Sequence, residues 1–98
     1  MRNDQAIQRI KEKSLEIYQH YLGQLFPYGS VKTGVKISNP FLPEKQETPS
    51  FNIYKGYHGD YLYKDFATGD LGDVISFVQK LERVDRYKAI QIIKNQIL

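Results

Sequence analysis

Apolar residues recur at intervals of three and four positions along the first quarter of the chain. This spacing places them on one face of a helix and predicts an amphipathic helix over about residues 4–22. Asn3 or Asp4 precedes the pattern and can cap the first free backbone N–H groups. Gly23 follows it and can end the last turn in left-handed backbone. The sequence therefore predicts one N-terminal helix with both ends marked.

Helical spacing returns in the last third of the chain. It predicts a helix over about residues 70–82, with Asp70 as its N-cap and Asp73 in its first turn, where the helix dipole favours a carboxylate. A last helix is predicted over about residues 85–97, with Asp85 as its cap. Two C-terminal helices are therefore expected.

Between the helical segments, over about residues 28–69, the period of the pattern changes to two. Residues 31–37 alternate between apolar and polar, as a strand with one solvated face does. A second strand is predicted to begin at Phe51, and a third covers residues 61–66. Residues 55–60 contain two glycines, which favour a hairpin connection. We expect an antiparallel sheet.

These elements predict an α+β fold in which a small antiparallel sheet is flanked by an N-terminal helix and two C-terminal helices. A length of 98 residues with 41% hydrophobic residues suits a single domain, residues 1–98. The longest uninterrupted apolar run, Tyr61-Leu62-Tyr63, is far too short to cross a bilayer, so we expect a soluble, cytoplasmic protein with no membrane contact. The absence of cysteine excludes disulfides and thiolate zinc sites.

The middle of the chain is both basic and aromatic, within a protein of net charge +3. Tyr54, Tyr61 and Tyr63 lie close in sequence to Lys55 and Lys64. Single-stranded nucleic acid is bound where lysines contact phosphates and exposed rings stack on unpaired bases. The alternative is that the tyrosines face the core of a small sheet and the lysines are only solvated.

The alternation along the third predicted strand bears on this choice. Tyr61 and Tyr63 point to one face, and Leu62 and Phe66 point to the other. Both sets belong to a core only if the sheet is covered on two sides. We therefore expect the tyrosine face to be available for binding.

Nothing in the sequence indicates catalysis. His20 lies on a predicted helix and His58 at a predicted hairpin tip, so both are expected to be solvated surface side chains. Asp65, Asp70 and Asp73 form an acidic cluster, but helix capping explains two of the three more simply than metal binding does. We predict no catalytic residues, no bound metal and no cofactor.

Three blocks of sequence carry a resemblance to a known family. They are Asn-Pro-Phe-Leu at residues 39–42, Thr-Pro-Ser-Phe at residues 48–51, and Gly-Asp-Val-Ile-Ser-Phe-Val at residues 72–78. In order and spacing they resemble the N-terminal zinc-binding domain of bacterial and phage DNA primases. The likeness covers roughly residues 10–95, and it implies a zinc-ribbon-like sheet.

The chain differs from that family at the four positions that bind zinc. The four zinc-ligand positions implied by the resemblance carry Asn39, Leu42, Asp65 and Thr68. One amide, one isobutyl group, one carboxylate and one hydroxyl do not form a tetrahedral zinc site, so we predict a degenerate zinc finger without zinc. Without zinc, residues 39–42 and residues 65–68 must be held together by hydrogen bonds and apolar packing.

Two kinds of contact are expected to replace the metal. Asp65 is expected to accept a hydrogen bond from Asn39 or Thr68. Buried polar groups that keep only some of their partners are left without hydrogen bonds, which destabilises the fold. Apolar side chains are expected to pack at the same junction: Phe41, Leu42 and Phe66.

The resemblance implies a non-catalytic DNA primase module that contacts single-stranded template DNA during primer synthesis in DNA replication. Primase activity, a nucleotidyl transfer, would then reside in a separate Toprim-type domain, and the partners would include that domain or a replicative helicase. The template-facing candidates are Lys45, Tyr54, Lys55, Tyr61, Tyr63 and Lys64. The alternative is a protein–protein adaptor that docks on a helicase or polymerase of a phage or mobile element through its tyrosine face. Both a free-standing protein and part of a longer primase fit the sequence.

Overall fold

The protein has an α+β fold, seen in a computed structural model that describes residues 3–98, with side chains from Gln5 onward. The predicted capping side chains of Asn3 and Asp4 lie outside this described part. The helices and strands, in chain order, are α1 (Asn3–Glu12), α2 (Ser14–Leu22), β1 (Phe51–Lys55), β2 (Tyr61–Asp65), β3 (Leu71–Gly72), α3 (Val74–Glu82) and α4 (Arg86–Ile92).

The N-terminal helix is divided in two, which the sequence pattern did not predict. Lys13, between α1 and α2, has φ −104° and ψ 18°. The next residue, Ser14, is buried, and its Oγ accepts a hydrogen bond from the backbone N–H of Tyr61 at 2.9 Å. The break therefore lies where the start of β2 obtains a partner for its first N–H group.

The predicted left-handed end of this helix is wrong. Gly23 has φ −50° and ψ −42°, which is right-handed helical backbone, and a 3₁₀ turn at Gly23–Leu25 follows α2 directly. Glycine instead leaves space for a side chain: a Cβ on Gly23 would lie 2.1 Å from Gln19 Nε2. The amide of Gln19 occupies this space and bonds to a later turn, described below.

The first predicted strand is also wrong over most of its length. Thr33 and Gly34 form a turn, and Gly34 has φ 81°. Ile37 forms an isolated antiparallel bridge to Phe51, and the N–H of Gly34 donates to Ile53 C=O at 3.2 Å. The alternating pattern here indicates an extended segment with one buried apolar side chain, and the turn at Gly34 prevents a continuous ladder.

The predicted hairpin is confirmed. β1 and β2 pair antiparallel, with Ile53 opposite Tyr63, and residues 56–60 connect them. A third strand, β3, was not predicted. It pairs antiparallel with β2, so the strand order is β1-β2-β3.

Strand β3 occupies residues that the pattern assigned to a helix, and this changes the helix cap. Helix α3 begins at Val74, and Asp73 is its N-cap: the Asp73 carboxylate accepts from Ser76 N–H at 2.8 Å. The prediction of Asp70 as the cap is wrong. Asp70 pairs with Lys80 at 2.7 Å, and this hydrogen bond raises the pKa of the Lys80 amino group.

The last predicted helix is confirmed at its start. The Asp85 carboxylate accepts from Lys88 N–H at 2.8 Å and caps α4. The chain then continues through a turn of π-helix at Ile93–Ile97. The predicted span to residue 97 is therefore helical throughout, in two geometries.

The core lies between one face of the sheet and the helices. Its four largest fully buried side chains are aromatic and come from α2, from β1 and β2, and from α3: Tyr18, Phe51, Tyr63 and Phe77. Aromatic packing is dense, with the Tyr63 ring stacked on Phe51 at 5.6 Å between centroids. No helix within residues 3–98 is both long and apolar enough to cross a membrane.

Candidate nucleic-acid interface

The strand register determines which side chains of the sheet meet the core. Ile53 stands opposite Tyr63 and Tyr54 stands opposite Leu62. Ile53 and Tyr63 are fully buried, whereas Tyr54 and Leu62 are half-buried. Opposed residues share a face of a sheet, so the first pair lies on the inner face and the second on the outer face.

This assignment reverses the prediction for two tyrosines. Tyr63 is 0% exposed and lies against Phe77 in the core, so it cannot stack on a base, and its prediction as a DNA-binding residue is wrong. Tyr61 shares the inner face and packs against the core while half-buried. The helices cover the tyrosine face, so the face carrying Leu62 is the one left open.

The outer face carries a group of one ring and two cations that sequence reasoning missed in part. Phe66, directly after β2, is 52% exposed. The Lys36 ammonium lies 4.9 Å and the Lys64 ammonium 5.1 Å from the centroid of this ring. Lys64 was predicted as a binding residue, but Phe66 and Lys36 were not. The sequence could have identified Phe66, because side chains two positions apart in a strand point to the same face and Phe66 follows Lys64 by two positions.

We define the outer face by its exposed or half-buried side chains. They are Lys36, Tyr54, Leu62, Lys64, Phe66 and Leu71. Leu71 belongs to the set because it stands opposite Lys64 in the β2–β3 pairing. The structure thus brings together two of the six predicted residues, Tyr54 and Lys64, on one aromatic and basic surface.

The other predicted lysines lie elsewhere. Lys55 is exposed at the end of β1, opposite Tyr61, and therefore on the side of the sheet opposite to Tyr54. Lys45 is exposed in the loop after residue 42 and lines a groove of about 580 Å³. These two lysines do not belong to the outer face.

The junction that the resemblance assigns to zinc is held by hydrogen bonds around one carboxylate. Asp65 is 1% exposed, and its Oδ2 accepts from the side-chain amide of Asn39. Its Oδ1 accepts from the N–H groups of Ala67 at 2.7 Å and Thr68 at 3.3 Å. Asp65 thus joins the segment at residue 39 to the turn that follows β2.

The electrostatic state of Asp65 follows from these bonds. Burial by itself raises the pKa of the Asp65 carboxyl group, because a charge is poorly solvated in the interior. The hydroxyl of Ser50, the amide of Asn39 and the backbone N–H groups favour the carboxylate and together lower the pKa below its usual value. The buried group is therefore charged and fully hydrogen-bonded at neutral pH.

Asn39 is itself positioned by a second set of bonds. Its Oδ1 accepts from Phe41 N–H at 2.7 Å, and its backbone N–H donates to Gln46 Oε1 at 2.7 Å. Gln46 Nε2 donates to Ser50 Oγ at 3.0 Å. A polar network therefore connects the 39–42 turn, the loop after it and Asp65.

The predicted apolar contacts at this junction are only partly present. Phe41 packs edge-on against Phe51 and Tyr63, with centroids 5.7 Å and 5.6 Å away. Leu42 and Phe66 are instead 47% and 52% exposed, so the prediction that they pack there is wrong. The junction is held by the hydrogen bonds of Asp65, and the Leu42 and Phe66 side chains lie at the surface. Among the side chains that the structure describes, from Gln5 onward, no group of three or more His, Asp or Glu residues is arranged to hold a metal ion.

Comparison of the chain with models of known protein families, with characterised proteins and with solved structures finds no match.

Proposed function

We propose that the protein binds single-stranded DNA on the outer face of its sheet. The observation that carries this proposal is the Phe66 ring, half exposed, with the ammonium groups of Lys36 and Lys64 over it at 4.9 Å and 5.1 Å from its centroid. An unpaired base stacks on such a ring when a flexible lysine side chain moves off its face, and the displaced ammonium group then contacts the adjoining phosphate. Tyr54 offers a second ring on the same face.

We further propose that this binding serves as the template contact of a zinc-free primase-type module in the cytoplasm. The support is the resemblance of the three sequence blocks together with the hydrogen bond between Asn39 and Asp65. Those two residues occupy positions that the family uses for zinc. Nucleotidyl transfer would belong to a partner domain.

The test is fluorescence anisotropy with a labelled 12-nucleotide thymidine strand at low salt. We expect binding that weakens steeply as salt increases, because phosphate contacts release counterions. Phe66→Ser should weaken binding by about 1–3 kcal/mol, or roughly 5- to 150-fold, because one stacking contact is lost. Lys64→Ala should make the salt dependence shallower, by a slope of about 0.7 for one lost phosphate contact on a single strand.

Tyr87→Ser is the matched control. Tyr87 is 69% exposed, but it lies on α4, outside the outer face. This variant should bind the strand as the unmodified protein does. Absence of binding at low salt, or equal affinities for the Phe66→Ser and Tyr87→Ser variants, would contradict the proposal.

A further inference from the structure

The extended segment at Ile37 has a free backbone edge. Ile37 N–H donates to Phe51 C=O at 2.8 Å and Ile37 C=O accepts from Phe51 N–H at 3.0 Å. Neighbouring residues of an extended chain direct their backbone groups to the opposite side, so those of Lys36 and Ser38 point away from β1. Among residues 3–98, neither Lys36 nor Ser38 uses its N–H or C=O in a hydrogen bond. Such an edge is a template for another strand.

A groove of about 580 Å³ runs along this edge. Residues 35–38 line it on one side, and its other apolar lining residues are Leu25, Pro27, Pro40, Leu42, Pro43 and Pro49. Leu25 and Leu42 are 53% and 47% exposed. The groove therefore combines unpaired backbone groups with an apolar surface.

The chemistry of the lining favours a peptide over a nucleic acid. None of the lining residues is aromatic, so the groove offers no ring for base stacking. Its charged residues are Lys36, Glu44 and Lys45, an excess of positive charge. An extended peptide with apolar residues at alternate positions and acidic residues between them complements the unpaired backbone groups, the apolar surface and the positive charge of the groove.

A strained residue stands next to the groove. Tyr28 follows the lining residue Pro27, is fully exposed, and has φ 64°. Left-handed backbone is costly for a bulky residue and is kept where the surroundings enforce it. The enforcing contact is Gln19, which donates to Gly29 C=O at 2.8 Å and accepts from Val31 N–H at 2.8 Å. The fold therefore holds an exposed tyrosine one residue after Pro27, which lines the groove, and tyrosine is common among residues that dominate protein interfaces.

We propose that the groove binds an extended, acidic and apolar segment of a partner protein, which adds as a strand to the edge at Lys36 and Ser38. Tyr28 contacts the segment where it leaves the groove. The groove and the outer face share Lys36 and no other residue, so variants of residues that belong to one surface alone separate peptide docking from DNA binding.

The experiment selects peptides from a displayed library of random 12-residue sequences on the full chain, followed by anisotropy with the selected peptides. We expect alternating apolar and acidic residues in the selected set. Lys36→Pro should weaken binding at least tenfold relative to Lys36→Gln, because both variants lose the cation but only proline removes the N–H group. Hydrogen exchange at Ser38 should slow when peptide is bound.

A second pair of variants leaves the backbone unchanged. Leu42→Glu should abolish peptide binding, since it places an acidic group in the groove, whereas Leu71→Glu should not, because Leu71 is 57% exposed on the outer face. A library that yields no binder, or peptides indifferent to both Lys36→Pro and Leu42→Glu, would overturn the proposal. DNA binding is scored separately by Phe66→Ser, which should leave peptide binding unchanged.

Discussion

Asp65 is the residue on which the loop structure depends most directly. Its carboxylate is buried, accepts from Asn39 and from the N–H groups of Ala67 and Thr68, and has a lowered pKa. A buried carboxylate with these partners stabilises the fold only while it is charged. Removing this charge should therefore lower the free energy of unfolding most at neutral pH.

Asp65→Asn tests this dependence. The new amide offers an oxygen to the backbone N–H groups, but its NH₂ then meets the NH₂ of Asn39, so two donors face each other. We expect a loss of about 1–3 kcal/mol in the free energy of unfolding at pH 7, measured by urea denaturation. Because the folded pKa is lowered, the stabilisation is complete above the unfolded pKa of about 3.9 and disappears as pH falls through the folded value. The difference between the two proteins should shrink below about pH 4.

Glu47→Gln provides the comparison for Asp65→Asn, since Glu47 is exposed in the same loop region. It should change the free energy of unfolding by less than about 0.5 kcal/mol. Equal stabilities of the Asp65→Asn variant and the unmodified protein at pH 7 would refute the role given to Asp65. So would a difference that persists unchanged in acid.

Residue-scale prediction from the sequence succeeded where chemistry is local and failed where burial decides. The hydrogen bond between Asn39 and Asp65 is one of the two contacts expected from the resemblance, and it is present. Tyr63 was assigned to a binding surface although it is fully buried. Tyr63 and Leu62 do point to opposite faces, as predicted, but the alternating pattern does not show which of the two faces the helices cover.

At the scale of elements, helix α2 and the turn at residues 27–29 are joined by one side chain. Gln19 binds the turn on both sides, at Gly29 and Val31, and it reaches the turn because Gly23 lacks a side chain. The glycine therefore serves the contact between two elements and not the conformation of its own backbone.

Gly23→Ala tests this contact by the sign of its effect. Helix propensity alone predicts that alanine stabilises helical backbone by up to about 1 kcal/mol over glycine. The added Cβ would lie 2.1 Å from Gln19 Nε2, so the amide must move and both of its hydrogen bonds are lost. We expect a net destabilisation of about 1–2 kcal/mol by thermal or urea unfolding.

The matched background for this test is Gln19→Ala. In that variant the amide is absent, and Gly23→Ala should become close to neutral, since of the three atoms nearest to the added Cβ only the carbonyl oxygen of Gly29, at 3.1 Å, remains. If alanine at position 23 is stabilising in the unmodified protein, the contact between α2 and the turn is unimportant. Non-additivity of the two substitutions is the expected signature.

At the scale of the whole molecule, the four positions assigned to zinc by the resemblance come from two distant parts of the chain. Asn39 contacts Asp65, the N–H of Leu42 donates to Asn39 C=O at 3.2 Å, and the N–H of Thr68 donates to Asp65. Each position is thus linked by a hydrogen bond to another of the set. The arrangement is that of two turns facing each other.

Restoring the family's ligands tests whether the superposition is right. The combined substitution Asn39→Cys, Leu42→His, Asp65→Cys and Thr68→Cys should bind one zinc ion per chain, measured by elemental analysis and by the tetrahedral absorption of a cobalt derivative. The variant that keeps Asn39 while carrying the other three changes should bind at least tenfold more weakly. A folded quadruple variant without zinc affinity would count against the resemblance.

Elements with local signals can be predicted from the amino-acid sequence alone. The helical spacing, the cap at Asp85 and the two-glycine hairpin between β1 and β2 depend on contacts within a few residues, so the pattern predicts them. Features that depend on distant partners are visible only in the folded chain. The break before Ser14 requires the N–H of Tyr61, and the shift of the α3 cap to Asp73 follows from the pairing of β3 with β2. Which face of β2 is open depends on where α2 and α3 pack, because both faces of this short strand carry apolar side chains and either could be buried.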